Sequence, residues 1–499
     1  MRKLYTICWL ALLFITLNLG AKEVGKESLS ENDALQKTQN SYGSIGYTLS
    51  LETARSLALE HNKLIKQSDA KSESAQQTKK SLFTNYLPKL EVSANYLLRS
   101  SATEMTMEGG YLPTYNFNST TGELEPNIFI NPQTNQPVLD SHGNPIFNQY
   151  ALFPDQDLEI LPKAGFTSGI VLTQPIFTGG KVTTAYKMGS LAEKASQLNL
   201  EYTKENVLFE TEQAYWQVVS LVQKTKVTET YLKLVENVLD KVQDSYDVGM
   251  VNKNQLLQAQ VKYNEVALLN QEANNGLNLA KMALAQKIGL PIDSDLTTAD
   301  SLINVMKSEE LAAFSPADYQ ARLDFQMLQL KSMVASENIK LERAEFLPQI
   351  GLMASYNYFS YQLNDNNHDD FNFNAMAQFS LPIFQWGDSI RKVNSAKAKY
   401  KEESFLLENA CELMQLEIAQ SITEVENKEL KLNLAQSALT QADEYLRLET
   451  DNYEVGMTTL TDLLNAQSQW QQAYANYIDA LFELNTASNK LAKSCGKFK

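Results

Sequence analysis

Two periods organise the polar and apolar positions of this chain. Phe371, Phe373, Ala375, Ala377, Phe379, Leu381 and Ile383 alternate with Asn372, Asn374, Met376, Gln378 and Ser380. A period of two predicts a strand with one apolar and one mostly polar face. Ile350, Leu352, Ala354, Tyr356 and Tyr358 predict its partner. Upstream, Leu90, Val92, Ala94, Tyr96 and Leu98 oppose Glu91, Ser93 and Asn95, and Phe166, Ser168, Ile170 and Leu172 predict a fourth strand. The expected spans are about residues 89–99, 164–177, 349–361 and 371–384, long enough to cross a bilayer at a tilt.

The second period is helical. Lys181 to Asp247 contains no Pro and only Gly189, while Asp388 to Glu454 contains neither Gly nor Pro. Each stretch has 67 residues, predicting helices of about 100 Å. Leu51 to Tyr86 and Asn252 to Lys287 have 36 residues each, so two such helices end to end would match one long one. In the last helix Leu463, Trp470, Tyr477, Leu484 and Leu491 recur every seven residues beside Leu460, Gln467, Tyr474, Leu481 and Ser488. A strict seven-residue period predicts supercoiled packing. Ala466, Gln469, Gln471, Gln472 and Ala473 on or near the seams suit a curved wall around water better than a dry bundle core.

The chain also repeats itself. Thr173-Gln174-Pro175-Ile176-Phe177 returns as Ser380-Leu381-Pro382-Ile383-Phe384, Tyr246-Asp247-Val248-Gly249-Met250 as Tyr453-Glu454-Val455-Gly456-Met457, and Leu256 to Gln260 as Leu463 to Gln467, all at one offset of 207. One spacing held over more than 80 residues implies two halves of one design. Leu87-Pro88 and Leu347-Pro348 correspond at an offset of 260, so the first half carries 53 additional residues. These fall within 101–163, whose scattered Pro, Gly, Tyr and Phe predict a long structured loop and not a third domain. The second-half loop, around Leu363 to Asp370, is short.

Apart from the first 17 positions, no apolar stretch reaches the length of a membrane-spanning helix. Any crossing must therefore be made by strands. Four strands cannot close a barrel, and an open edge in hydrocarbon leaves backbone groups unpaired at several kcal/mol each. The barrel must then be shared, by two copies with eight strands or three with twelve. A soluble half-buried sheet also alternates, but seldom follows an export signal while flanked by helices this long.

That signal is Arg2 and Lys3, an apolar run from Leu4 to Leu17, and small residues at Gly20 and Ala21. Cys8 lies inside the run and not at its end, so lipid attachment there is not expected. With 59 acidic and 43 basic residues the net charge is −16, which repels nucleic acid. Three Cys and three separated His (His61, His142 and His368) supply neither a disulfide framework nor an evident metal cluster. Cys411 and Cys495 are expected to be unpaired structural residues. Thr178-Gly179-Gly180-Lys181 lacks phosphate-loop spacing and predicts a tight strand-to-helix bend. No cofactor and no enzymatic constellation is expected.

Together, the strand exits Gln174 to Gly180 and Leu381 to Gly387, the turns Tyr246 to Met250 and Tyr453 to Met457, and the Leu-Leu-x-Ala-Gln segments resemble the TolC family of outer-membrane efflux proteins, over about residues 47–493. The resemblance implies a mainly α fold with a membrane β-barrel: a homotrimer with a shared 12-stranded barrel, a helical tunnel in the periplasm and a mixed belt near the middle. On that plan residues 1–21 are the signal peptide and 22–50 an N-terminal segment. Residues 51–288 and 316–493 are the two repeats, 289–315 an equatorial linker and 494–499 a tail. The first-half loop would face the cell exterior. The implied function is a passive conduit in a tripartite efflux or type I secretion system, receiving substrate from an inner-membrane RND, ABC or MFS-type transporter through a periplasmic adaptor. A structural or adhesive coiled-coil surface protein is the alternative.

The resemblance also points to a gate. Its latch tyrosine matches Tyr453 and its first acidic-ring position Asp462, but the second acidic position holds Asn465 and the expected Arg is Thr458. On the first tip the acidic partner position holds Gln255, beside Asn254. Hydrogen bonds among Tyr453, Thr458, Asn254 and Gln255 are therefore expected in place of a salt-bridged latch. Asp462 would form a carboxylate ring favouring cations, or else solvate a helix start. Gly249, Met250, Gly456 and Met457 mark the tip turns, and Pro175, Gly180, Pro382 and Gly387 the strand exits.

Overall fold

The computed structural model describes residues 47–300, 314–363 and 366–498. The signal at 1–21, most of the 22–50 segment and 301–313 of the linker lie outside the described residues. The chain begins with β1 (Tyr47–Leu49), α1 (Leu51–His61) and α2 (Lys63–Phe83). β2 (Lys89–Leu98), β3 (Thr103–Met107), β4 (Gly110–Pro113), β5 (Tyr115–Phe117), β6 (Leu124–Pro126), β7 (Tyr150–Phe153), β8 (Gln156–Leu161) and β9 (Ala164–Thr178) follow. Then come α3 (Lys181–Asp247), α4 (Lys253–Ile288), β10 (Leu296–Thr298) and α5 (Leu323–Ala344). β11 (Gln349–Leu363), β12 (Asn366–Ser380), α6 (Asp388–Glu454) and α7 (Leu460–Ser494) complete it. The two long helices occupy the spans expected of them. Two compact units result, and each draws on both sequence repeats: 80–187 with 337–396, and the remainder.

The first unit is built on an antiparallel sheet of order β12-β11-β9-β2. Its register joins Leu90, Leu172, Ala354 and Ala375 in one row, and Val92, Ile170, Tyr356 and Phe373 in another. Partners across a ladder share a face, so the apolar positions of all four strands form one surface. The intervening row, Glu91-Val171-Ser355-Asn374, is polar except at Val171, and the next row out, Ser93-Gly169-Asn357-Asn372, has no apolar side chain. Val92 is 70% and Phe373 66% exposed within one chain.

Two boundaries differ from expectation. The strand expected at 371–384, β12, ends at Ser380 because the ladder stops where Gln349 meets Ser380 and Pro382 has no N–H to extend it. Its start lies at Asn366, so the loop expected around 363–370 is a hairpin closing between Leu363 and Asn366. Pro175 is tolerated inside β9 because β2 reaches only to Thr173; beyond that β9 pairs on one side alone, Pro175 against Gly351 beside a bulge. The 101–163 segment is structured as expected, and takes the form of paired short strands: β3 with β8, β4 with β7 and β5 with β6.

The second unit is helical around a core of Leu49, Ala54, Val207, Tyr215, Trp216, Leu284 and Leu296. β1 pairs in parallel with β10, and the Tyr215 hydroxyl, with one proton to give, lies 2.6 Å from the Asp300 carboxylate and 3.0 Å from the Leu49 carbonyl. Glu212, buried, is satisfied by Arg55, Trp216 and Asn489. The heptad positions of α7 are buried or half-buried along both seams.

One expected helix is two. The Leu51–Tyr86 span breaks at Asn62, which leaves the helical region (ψ 128°). Its side chain accepts from Leu64 N and donates to the Lys287 carbonyl, each at 2.8 Å. It thereby caps α2 and satisfies an orphan acceptor at the end of α4. α4 ends through Gly289 at φ 77°, packed on His61. Within this unit Lys497 pairs with Asp318 and Phe498 packs on Phe209, so the tail is docked. Cys411 and Cys495 are free thiols.

Candidate gate and strand exits

The two helix-to-helix turns repeat at backbone level. Gly249 and Gly456 have φ 77° and 76°. Gly249 N donates to Tyr246 O (2.9 Å) and Met250 N to Ser245 O (2.8 Å), while Gly456 N donates to Tyr453 O (3.1 Å) and Met457 N to Asn452 O (2.8 Å). This pairing of bonds around a left-handed glycine satisfies the last carbonyls of α3 and α6. Asn252 then caps α4 and Thr459 caps α7. Both hairpins share one apolar cluster, Val238, Val242, Leu256, Leu460, Leu463 and Leu464, with Tyr246 and Tyr453 packed against it. Val248, Met250, Val455 and Met457 are 70%, 80%, 69% and 79% exposed.

The polar groups are less symmetric. Asp462 is the third residue of a capping box: its carboxylate accepts from Thr459 N (3.2 Å) and the Thr459 hydroxyl (2.5 Å), with Thr458 Oγ1 at 3.3 Å. The Thr459 hydroxyl, and then its backbone N–H, hold this carboxyl below its ordinary pKa. Asn465 is exposed one turn further on. Thr458 donates to Glu449 (2.8 Å). Tyr453 is half-buried, and burial raises its hydroxyl pKa.

Within one chain the expected network among Tyr453, Thr458, Asn254 and Gln255 is not what links the hairpins. Gln258 Nε2 donates to Thr461 Oγ1 (2.9 Å), and Lys241 pairs with Glu454 (2.9 Å). Asn254 is exposed and Gln255 donates its backbone N–H to Asn252. Glu449 and Lys241 carried no periodic signal, since their partners lie across a turn or on another helix. Val248 and Val455 stand inside the repeated pentapeptides and could have been read there.

At the strand exits, Gly179 and Gly180 have φ 62° and 87°, giving the expected bend into α3. The equivalent positions on the other repeat are Trp386 (φ 52°) and Gly387 (φ 77°). Trp386 is 87% exposed and its ring lies 5.0 Å from that of Phe384.

Comparison with known proteins agrees with this architecture. The family model described as outer membrane efflux protein matches residues 163–290 and 319–497. The pyoverdine export outer membrane protein OpmQ of Pseudomonas aeruginosa is 23% identical over 342 residues, covering 67% of this chain and 69% of that protein. The outer membrane protein TolC of Escherichia coli is 22% identical over 349 residues, 64% of this chain and 68% of TolC. The CmeC outer membrane channel of Campylobacter jejuni superposes with a TM-score of 0.70 at 19% identity, over 90% of this chain and 86% of CmeC. Two hairpins on duplicated turns, a four-stranded sheet with one apolar face, and a family match over more than half the chain lead to one conclusion: the chain belongs to the outer membrane efflux protein family, the channels of outer-membrane efflux and secretion.

Proposed function

We propose that three copies of the chain form one passive conduit across the outer membrane, each giving four strands to a twelve-stranded barrel and its helices to a periplasmic tunnel. The observation that carries this reading is the sheet. Its apolar positions form a continuous surface on a single face, and β2 and β12 end it with unpaired edges. In hydrocarbon each unpaired backbone group costs several kcal/mol. Pairing β2 of one copy with β12 of the next removes both edges when the rotation closes.

The tips are where a periplasmic adaptor would dock, since Val248, Met250, Val455 and Met457 are apolar and uncovered. Through it an inner-membrane transporter would supply both substrate and energy, and the conduit itself would need no catalytic group. Asp462 and Asn465 would face the axis, with the lowered carboxyl of Asp462 giving three fixed negative charges at neutral pH. Contacts of Tyr453, Thr458, Asn254 and Gln255 would then be made between copies.

Reconstitution in planar bilayers tests the reading. Cation-selective channels from a three-copy complex are expected, with cation selectivity reduced in Asp462→Ala. A folded complex that inserts but does not conduct, even with its tip mutated open, would reject the conduit.

A further inference from the structure

We propose that the extracellular extension of the β2–β9 hairpin is a contact between copies, in which the apolar face of each ribbon packs on its neighbour and encloses the channel mouth. This rests on the shared-barrel reading. Glu104 pairs with Glu159, Met105 with Leu158, Thr106 with Asp157 and Met107 with Gln156. Tyr111 pairs with Leu152 and Pro113 with Tyr150. Two residues on each strand, Glu108-Gly109 and Pro154-Asp155, interrupt the ladder without changing its register. Residues 104–113 and 150–159 are therefore one ribbon with two consistent faces.

Those faces differ most at the ribbon's root, residues 104–108 and 155–159. Met105, Met107, Tyr111, Tyr150, Leu152 and Leu158 share one side and are 55%, 43%, 72%, 50%, 66% and 38% exposed. Glu104, Thr106, Asp157 and Glu159, and by parity Glu108 and Asp155, share the other at the ribbon's root, while Leu112, Ala151 and Phe153 share it further out. Ten residues of two strands cover roughly 33 by 10 Å, or on the order of 300 Å² per face. An uncovered apolar patch of that size is in the range of the largest on a typical protein surface, which are often functional, and a lone two-stranded ribbon is marginal in water.

The register indicates what covers it. Tyr361 of β11 pairs with Gly165, two positions before the β11–β12 hairpin closes, and the ribbon departs from β9 just beyond, at Ala164. Strands of 15 residues at a tilt near 40° rise roughly 38 Å, more than the ~25 Å apolar band of such barrels. The ribbon thus begins outside the hydrocarbon. Residues 101–162 contain no Lys or Arg to meet lipid phosphate. In a shared barrel β2 of one copy lies beside β12 of the next, whose hairpin has already closed at this height. Among the described residues, the part of the neighbour that continues past its closed hairpins is its own 101–163 extension, which starts with the ribbon. Facing the apolar sides together leaves the five carboxylates in water.

Photo-crosslinking of the purified full-length complex decides the matter. p-Benzoylphenylalanine is placed at Met107 or Tyr111 on the apolar face and at Thr106 or Glu108 on the acidic face, after native size in detergent has been measured for each variant. The expected result is a shift from one-chain to two- and three-chain bands for Met107 and Tyr111, and none for Thr106 and Glu108. An associated complex that crosslinks equally from both faces, or gives only lipid adducts or one-chain bands, overturns the ribbon contact alone. A monomeric native size for the unsubstituted protein overturns the shared barrel with it.

Discussion

Alanine at Gly289, Gly249 and Gly456 separates two costs that helix ends usually combine. The three glycines share one backbone conformation, φ 77°, 77° and 76°, but not one environment. A Cβ at Gly249 or Gly456 meets nothing within 4 Å, whereas at Gly289 it would lie 2.7 Å from His61 Cβ and 2.8 Å from the His61 carbonyl carbon and oxygen. Left-handed backbone costs a non-glycine residue about 1–2 kcal/mol, offset by about 0.4–1 kcal/mol from the stiffer unfolded chain. Gly249→Ala and Gly456→Ala should therefore each cost about 1 kcal/mol. Gly289→Ala adds an overpacking cost of about 1–3 kcal/mol, because the atoms it meets include backbone that cannot rotate away. Hydrogen exchange followed by mass spectrometry reads the local opening energies. Peptides over the tips should exchange about fivefold faster in the first two variants, and peptides over α1 and the end of α4 about a hundredfold faster in the third. Equal acceleration at Gly289 and Gly249 would refute the steric component and the close seating of Gly289 on His61.

Further outcomes follow from other contacts. Asn62→Ala removes the cap of α2 and the donor to Lys287 O, and should cost about 1–2 kcal/mol; an unchanged thermal unfolding midpoint would contradict the capping role. Asp318 is held below its ordinary pKa first by its hydrogen bond from Lys497 and then by Ser315 N. Its contribution is fully present above the unfolded value of 3.8 and is lost as pH falls through the lower folded value. Proteolytic sensitivity of residues 494–498 should therefore rise in that acid window in the native protein, while Asp318→Asn should be sensitive already at neutral pH. Glu212→Ala leaves Arg55, Trp216 and Asn489 without their shared acceptor. It should destabilise the helical unit by about 3 kcal/mol or more, and preserved thermal stability would count against that cluster as a structural centre.

Much of this architecture is legible from periodicity because long elements repeat their signal many times. The limits of α3 and α6 follow from long runs without Pro and, Gly189 apart, without Gly, and the sheet faces follow from alternation at Val92, Tyr356 and Phe373. The break at Asn62 is not legible: no Gly or Pro marks it, and its cause is a carbonyl 225 residues away on α4. The end of β12 is misjudged because apolar alternation continues through Leu381 and Ile383 past the last ladder bond. Asp462 was visible as an acidic position, and its Thr459 cap is recognisable from local spacing, but the Thr458–Glu449 bond spans a turn that carries no period.

The matched turns bear on stoichiometry. Each chain presents two tips with nearly interchangeable backbones and equally bare Val-Gly-Met apices, yet carries a carboxylate at the third position of only one of the following helices, Asp462 against Gln255. A three-copy assembly would offer six almost equivalent knobs to whatever grips them, but only three carboxylates at that third helical position. A partner recognising apex shape could then bind six to one assembly, while a ligand sensing the Asp462 carboxylate would count to three.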